Sequence, residues 1–162
     1  MPVYGAESGV AIVAARVSDF RSLANIEVEL GDLTVLIGAN NAGKTSFLDG
    51  LFAAIGAGRK SLGADDVRLA PGESSVPKTR EVIIDVMIRP IGLDGKVLDA
   101  YPEGSFWTSH WGTTGIAVDD SLNEFTGIRT TLKWSAVRGE HVIERRFLKE
   151  WKAFADWTSA AT

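Results

Sequence analysis

No cysteine occurs among the 162 residues, and only two histidines, His110 and His141. The first absence excludes disulfide frameworks, thiolate zinc sites and cysteine nucleophiles, and the second leaves no basis for a catalytic metal cage. No charge of one sign dominates: 17 Lys and Arg stand against 21 Asp and Glu, a formal net charge of −4. Without a global positive field, any contact with nucleic acid must be local or shared with another surface. The amino terminus, MPVYGAESGV, carries no positive region before its apolar stretch, and no apolar run approaches the roughly 18 to 20 residues needed to span a bilayer. These absences predict a soluble, unexported, cytoplasmic chain with no membrane partner. What is present is ordinary for a globular protein: 45% hydrophobic, 23% charged and 9% aromatic residues. One domain spanning 1–162 is expected, able to bury roughly 70% of the surface its unfolded form exposes.

Alternation is the first positive signal. Ala11, Val13, Ala15 and Val17 share one face, as do Ile26, Val28 and Leu30, predicting two half-buried strands joined by the turn residues Ser18-Asp19-Phe20-Arg21-Ser22. Leu33–Ile37, LTVLI, has no polar face and predicts a strand buried on both sides in the middle of a sheet. From Lys44 to Ile55, Phe47, Leu48, Leu51, Phe52 and Ile55 recur at helical steps. Arg59–Arg80 is rich in Gly, Ser, Pro and Asp and predicts a surface connection. Glu81–Arg89 predicts a strand closed by Pro90, and Ile128–Val137 with His141–Phe147 a hairpin about Arg138-Gly139-Glu140. Between them, Asp94–Thr126 is irregular, with a short helix expected near Asp119–Phe125; Leu148–Ala161 is expected to form a terminal helix.

Gly38-Ala39-Asn40-Asn41-Ala42-Gly43-Lys44-Thr45 fits G-x-x-x-x-G-K-[ST], the phosphate-binding P-loop, placed between an apolar run and a helix. The glycines let the backbone wrap a phosphate chain, and the N–H groups of Asn41–Thr45 at a helix amino end favour the anion. The expected nucleotide site is therefore Gly38, Asn40, Asn41, Ala42, Gly43, Lys44, Thr45 and Ser46. Lys44 is the candidate catalytic residue, reaching the β- and γ-phosphates, and Thr45 offers a hydroxyl to Mg²⁺. The expected cofactors are ATP and Mg²⁺.

With the P-loop goes a wider resemblance. Asp19-Phe20-Arg21-Ser22, the strand after it, and GDLTVLIGANNAGKTSFLDGL with its Asn40-Asn41 pair resemble the opening of ABC-type ATPase heads of the RecF and SMC group. The likeness is closest to the overcoming-lysogenization-defect (OLD) family and covers about Ala11 to Gly56. It implies an α/β fold: the amino-terminal lobe of an ABC-type head, with a mixed or antiparallel sheet around the P-loop helix. The P-loop core would span about 10–58, and added antiparallel strands with a terminal helix about 80–160. It implies that Arg21, with Arg16 beside it, approaches the nucleotide phosphates; the other reading is a solvated loop arginine. Asp65-Asp66 echo an acidic pair of the family, making Asp66 a second candidate metal ligand beside Thr45; the other reading is a solvated acidic loop. The family's glutamine loop, signature helix, Asp-Glu pair and switch histidine have no counterpart, and the chain contains no glutamine. The resemblance thus implies a lobe that hydrolyses ATP only when completed by a second lobe or partner chain and by dimerisation through the nucleotide site. DNA would enter only through that assembly, in DNA processing or phage defence, and the family's nuclease would lie elsewhere.

Other residues admit a structural or a chemical reading. Val82-Ile83-Ile84-Asp85 ends an apolar run in an aspartate, as the metal-anchoring strand of a complete small P-loop NTPase or kinase would, although alternation with Glu81 and Arg89 points to a half-exposed polar position. Asp119, Asp120 and Glu124 read as the acidic start of a helix. Phe106, Trp107, His110 and Trp111 form an aromatic knot, read as packing or a partner interface ahead of base stacking, with His110 as a catalytic base the remotest option. Arg145-Arg146 with Lys149 and Lys152 reads as a solvated basic stretch before a DNA contact. A third role remains, a non-catalytic lobe that assembles with ATPase partners.

Overall fold

The computed structural model describes residues 9–56 and 62–152. Its centre is an antiparallel sheet built from β1 (Gly9–Phe20), β2 (Leu23–Glu29), β3 (Val82–Ile91), β4 (Ala117–Val118), β5 (Glu124–Ser135) and β6 (Glu140–Leu148). The order is β2-β1-β3-β5-β4, with β6 pairing β5 along the same side as β4. Two helices, α1 (Lys44–Ile55) and α2 (Phe106–Gly115), pack on one face. No helix among the described residues is long and apolar enough to cross a membrane.

Register decides which residues meet. Val17 faces Ile84, which faces Thr130, and Ala15 faces Val86, which faces Ile128. Because side chains alternate across a strand, these residues line one face together with Val82 and Leu132. The face is nearly dry: Ala15, Val17, Val82, Ile84, Val86 and Leu132 are fully buried. α1 lies against it through Phe47, Gly50, Ala53 and Ala54. A Cβ at Gly50 would stand 3.5 Å from the Phe20 ring and 3.7 Å from Ile84, so the glycine brings the helix close to the sheet. Arg145, Phe147 and Lys149 point to the same face. Arg145 donates to Ala53 O at 3.0 Å, meeting the negative carboxyl end of α1, and Lys149 to Thr114 O at 2.8 Å in the last residues of α2. The basic stretch is thus used internally: Arg146 pairs with Glu144 and Lys152 with Glu150.

On the opposite face, Arg16, Asp85 and Arg129 are neighbours across the three central strands. Arg129 binds Asp85 through two parallel bonds of 2.7 Å, and Arg16 adds a third at 3.1 Å. Trp151 lies over the Arg16 guanidinium at 3.9 Å, and the Lys152 carbonyl accepts from Arg16 Nη1. Asp85 is therefore a wholly buried ion partner, not a half-exposed strand position.

Several expectations are corrected. Leu33–Ile37 forms no strand: Leu33, Val35 and Ile37 are 85%, 67% and 91% exposed, because no described strand lies beside them to pair and cover them. β3 continues through Pro90 to Ile91, which is tolerated beyond the last β3–β5 pair, Ile88–Thr126. The helix expected near Asp119–Phe125 is a turn. Asp119 accepts from the N–H groups of Ser121 and Asn123 at 2.9 Å each and reverses the chain between β4 and β5. These bonds, Asn123 first, hold the Asp119 carboxyl below its ordinary range. The helix of this region is α2, which carries the aromatic knot; Ser105 Oγ accepts from Thr108 N at its amino end, and Gly112, with φ of 61°, kinks it. Leu148 closes β6, residues 149–152 are not helical, and the rest of the expected terminal helix lies outside the described residues.

Candidate nucleotide site

The site forms where the chain leaves 31–38 and turns into α1. Asn41 and Gly43 take left-handed conformations, with φ of 70° and 90°. The second requires glycine twice over, since a Cβ there would also stand 2.6 Å from Leu23 Cδ2 and 3.3 Å from Ser22 Oγ. The β1–β2 turn is thus packed directly against the last glycine of the loop. Gly43 is the amino cap of α1, and the first intrahelical bond runs from Phe47 N to Gly43 O at 2.8 Å. The N–H groups of Lys44, Thr45 and Ser46 precede it and have no carbonyl behind them in the helix.

Residues Asn40–Ser46 line a cavity of about 220 Å³. Lys44 Nζ bends over the loop to Gly38 O at 2.5 Å and Ala39 O at 2.7 Å. The Ala42 N–H closes a turn on Ala39 O at 3.2 Å, so it faces its own loop, contrary to the expectation that it faces phosphate. Thr45 is exposed at the start of α1. Seven of the eight expected residues, all but Gly38, therefore line one concavity, with helix-start donors and a lysine at its wall. Such an arrangement suits a polyphosphate, with Thr45 free to offer a hydroxyl to Mg²⁺.

Arg21 takes a place that neither sequence reading anticipated. Its Nε donates to Asp66 Oδ1 at 2.7 Å and its Nη1 to Asp49 Oδ2 at 2.5 Å. These bonds, Asp66 first, raise its pKa further above the ordinary arginine value. Asp66 uses its second oxygen on Gly63 N at 3.0 Å, so both oxygens are engaged and the expected metal role is not supported by its geometry. Arg16 is buried beneath the sheet, and Asp85 has its oxygens on two guanidiniums, which leaves no room for a metal anchor. Among the described residues no group of three or more His, Asp or Glu could hold a metal ion. Asp119 and Glu124 serve the backbone, Glu124 accepting from Tyr101 N at 2.8 Å.

The aromatic knot sits at the other end of α1. Trp107 and Trp111 pack with centroids 4.9 Å apart, Phe106 stacks on His110 at 5.2 Å, and Trp111 meets Tyr101 edge-on at 5.6 Å. Trp107 and Trp111 line a groove of about 690 Å³ with Ile55 and Gly56 at the carboxyl end of α1. A twelve-residue helix is about 18 Å long, so these rings are out of reach of a base whose phosphates occupy the loop.

Residues 12–89 match the family model of the AAA ATPase domain. The match covers a little under half of the chain, runs from β1 to β3, and contains the whole loop and α1. It supports a P-loop ATPase family, whose domains bind nucleotide and as a rule use Mg²⁺. No curated protein matches the chain. The buried Arg16–Asp85–Arg129 group was missed by sequence reasoning. Its signal was three charged residues at the centres of strands, Arg16 and Asp85 each between two apolar neighbours and Arg129 between Ile128 and Thr130.

Proposed function

We propose that this chain is the ATP- and Mg²⁺-binding lobe of an ABC-type ATPase of the OLD kind, acting in DNA processing or phage defence. Hydrolysis would require a second lobe, elsewhere in the polypeptide or on a partner. Gly38, Asn40, Asn41, Gly43, Lys44, Thr45 and Ser46 bind the phosphates. Thr45 holds Mg²⁺, which supplies charge neutralisation on the phosphate oxygens when bound. The residues of this chain orient the polyphosphate: backbone N–H groups at the start of α1 donate to its oxygens, and Lys44 exchanges the Gly38 and Ala39 carbonyls for phosphate oxygens.

The observation that carries the incompleteness is an uncovered apolar layer. α1 packs one face on the sheet, yet Leu48, Phe52 and Ile55 on its other side are 56%, 48% and 42% exposed, and Leu33, Val35 and Ile37 of the run preceding it are bare. An apolar run without a polar face followed by a helix apolar on two sides is what a buried parallel sheet needs. The described antiparallel sheet covers only half of that requirement.

The test is titration of the purified chain with a fluorescent ATP analogue, with and without Mg²⁺, beside Lys44→Ala and Gly43→Ala, followed by phosphate release. Mg²⁺-assisted binding weakened by both substitutions, with negligible turnover, is the expected result. Binding indifferent to both would overturn the nucleotide assignment, and vigorous turnover by the chain alone would overturn the half-site reading.

A further inference from the structure

The β1–β2 turn carries more connections than a hairpin needs. Phe20 and Leu23 close it as a cross-strand pair, leaving Arg21 in the left-handed region with φ of 50°. On one side, Ser22 and Leu23 pack against Gly43 of the phosphate loop. On the other, the backbone is pinned to the 3-10 turn Ala64–Asp66 and the residues after it: Arg21 N donates to Asp66 O, and Arg68 N to Asp19 O, each at 2.8 Å. Phe20 and Val67 form an isolated bridge between these pins, and both are buried. The Arg21 guanidinium then spans from Asp66 to Asp49. Asp49 lies one helical turn after Thr45, on the same side of α1. Asp66 is itself fixed by its bond to Gly63 N.

We propose that Asp66, Arg21 and Asp49 form a clamp that sets the position of the phosphate loop, making them positioning residues for nucleotide binding that do not touch the nucleotide. The proposal rests on the reading of Gly38–Thr45 as a phosphate site. Three separate pieces of chain meet at one guanidinium: the hairpin turn that packs on Gly43, the helix that opens at Lys44, and the turn at Ala64–Asp66. Only Arg offers donors in a fixed fork able to hold two carboxylates in defined directions, so the clamp fixes the angle of α1 against the hairpin as well as its distance. The loop amides inherit that angle because Gly43 has no side chain to take up slack.

This role and direct phosphate contact by Arg21 predict opposite signs. If Arg21 is a phosphate ligand restrained by carboxylates, Asp66→Ala frees it, removes a negative charge, and tightens binding. If the three residues position the loop, the same substitution weakens binding even though it makes the site more positive. Titration of the full chain with the fluorescent ATP analogue and Mg²⁺ is expected to show Asp66→Ala and Asp49→Asn each weakened by about fivefold to tenfold. Arg21→Lys should recover only part of what Arg21→Ala loses. Hydrogen exchange without nucleotide should speed up at residues 43–46 in Asp66→Ala while β3 and β5 stay protected, a change that general loss of stability would not confine there. Unchanged or tighter binding by Asp66→Ala, or unaltered exchange at 43–46, would overturn the clamp. Lys44→Ala separates the two levels. Failure of wild type and Lys44→Ala to differ defeats the phosphate site itself, whereas a Lys44 effect with indifferent clamp variants defeats the clamp alone.

Discussion

Glu73 accepts from both arms of the Arg80 guanidinium, at 2.5 and 2.7 Å, and from the Ala70 N–H at 2.8 Å. Arg80 first, then the Ala70 bond, lower its pKa from 4.5 to about 2. Arg80 also donates to Arg68 O at 2.7 Å, so this pair fastens the loop that follows the clamp. A carboxylate with a depressed folded pKa adds stability that is complete above the unfolded value and disappears as pH falls through the folded one. Glu73→Gln should therefore lower the Tm near neutral pH, and the gap from wild type should close as pH falls from about 4.5 to about 2. The effect is modest because the side chain is partly solvated. Thermal melts across that range check it, and a gap independent of pH would show that packing, not the ion pair, is responsible.

α1 is apolar on two sides, and only one is used. Phe47 is 2% exposed, while Leu48, its neighbour, is 56% exposed. Phe47→Ala should cost about 3–5 kcal/mol, as for a large side chain removed from a packed core. Leu48→Ser with Phe52→Ser should shift the stability of the isolated chain by only about 0.5 kcal/mol and reduce its self-association. Urea unfolding and light scattering measure the two. The helix itself was legible in the sequence, because the P-loop pattern marks its start and the glycine after Ile55 its end. Which apolar side would be covered was not, since Phe47 and Leu48 carry the same signal and only the sheet distinguishes them. LTVLI misled for the same reason: an apolar run reports a need for burial, not whether the covering strands are at hand. α2 was hidden because WTSHWGTTG has no period, leaving Ser105 as its sole marker. In the site, the loop residues were readable from spacing, but the partners of Arg21 were not. Asp49 and Asp66 are 28 and 45 residues away in the chain and meet it only through the fold.

At the scale of the molecule, the sheet separates two kinds of chemistry: the helices and the phosphate loop on one face, and a buried ion cluster on the other. Burial works to lower the pKa of Arg16, and Asp85 opposes it by bond and charge. Two guanidiniums share one buried carboxylate, and Arg16 also meets the Trp151 ring, the Lys152 carbonyl and, at 4.0 Å, Glu27. Removing the anion alone should be severe, because Asp85→Ala leaves two buried cations facing each other; a loss of about 3–5 kcal/mol in urea unfolding is expected. Replacing the whole group, Arg16→Met with Asp85→Leu and Arg129→Met, should recover most of that loss, since apolar side chains of similar volume need no compensating partner. The decisive comparison is with nucleotide. If Asp85 served as a metal anchor, the triple variant would fold yet lose Mg²⁺-assisted binding. Because its oxygens are committed to Arg16 and Arg129 across the sheet from the loop, the triple variant should bind the ATP analogue as wild type does, with stability and binding varying independently on the two faces.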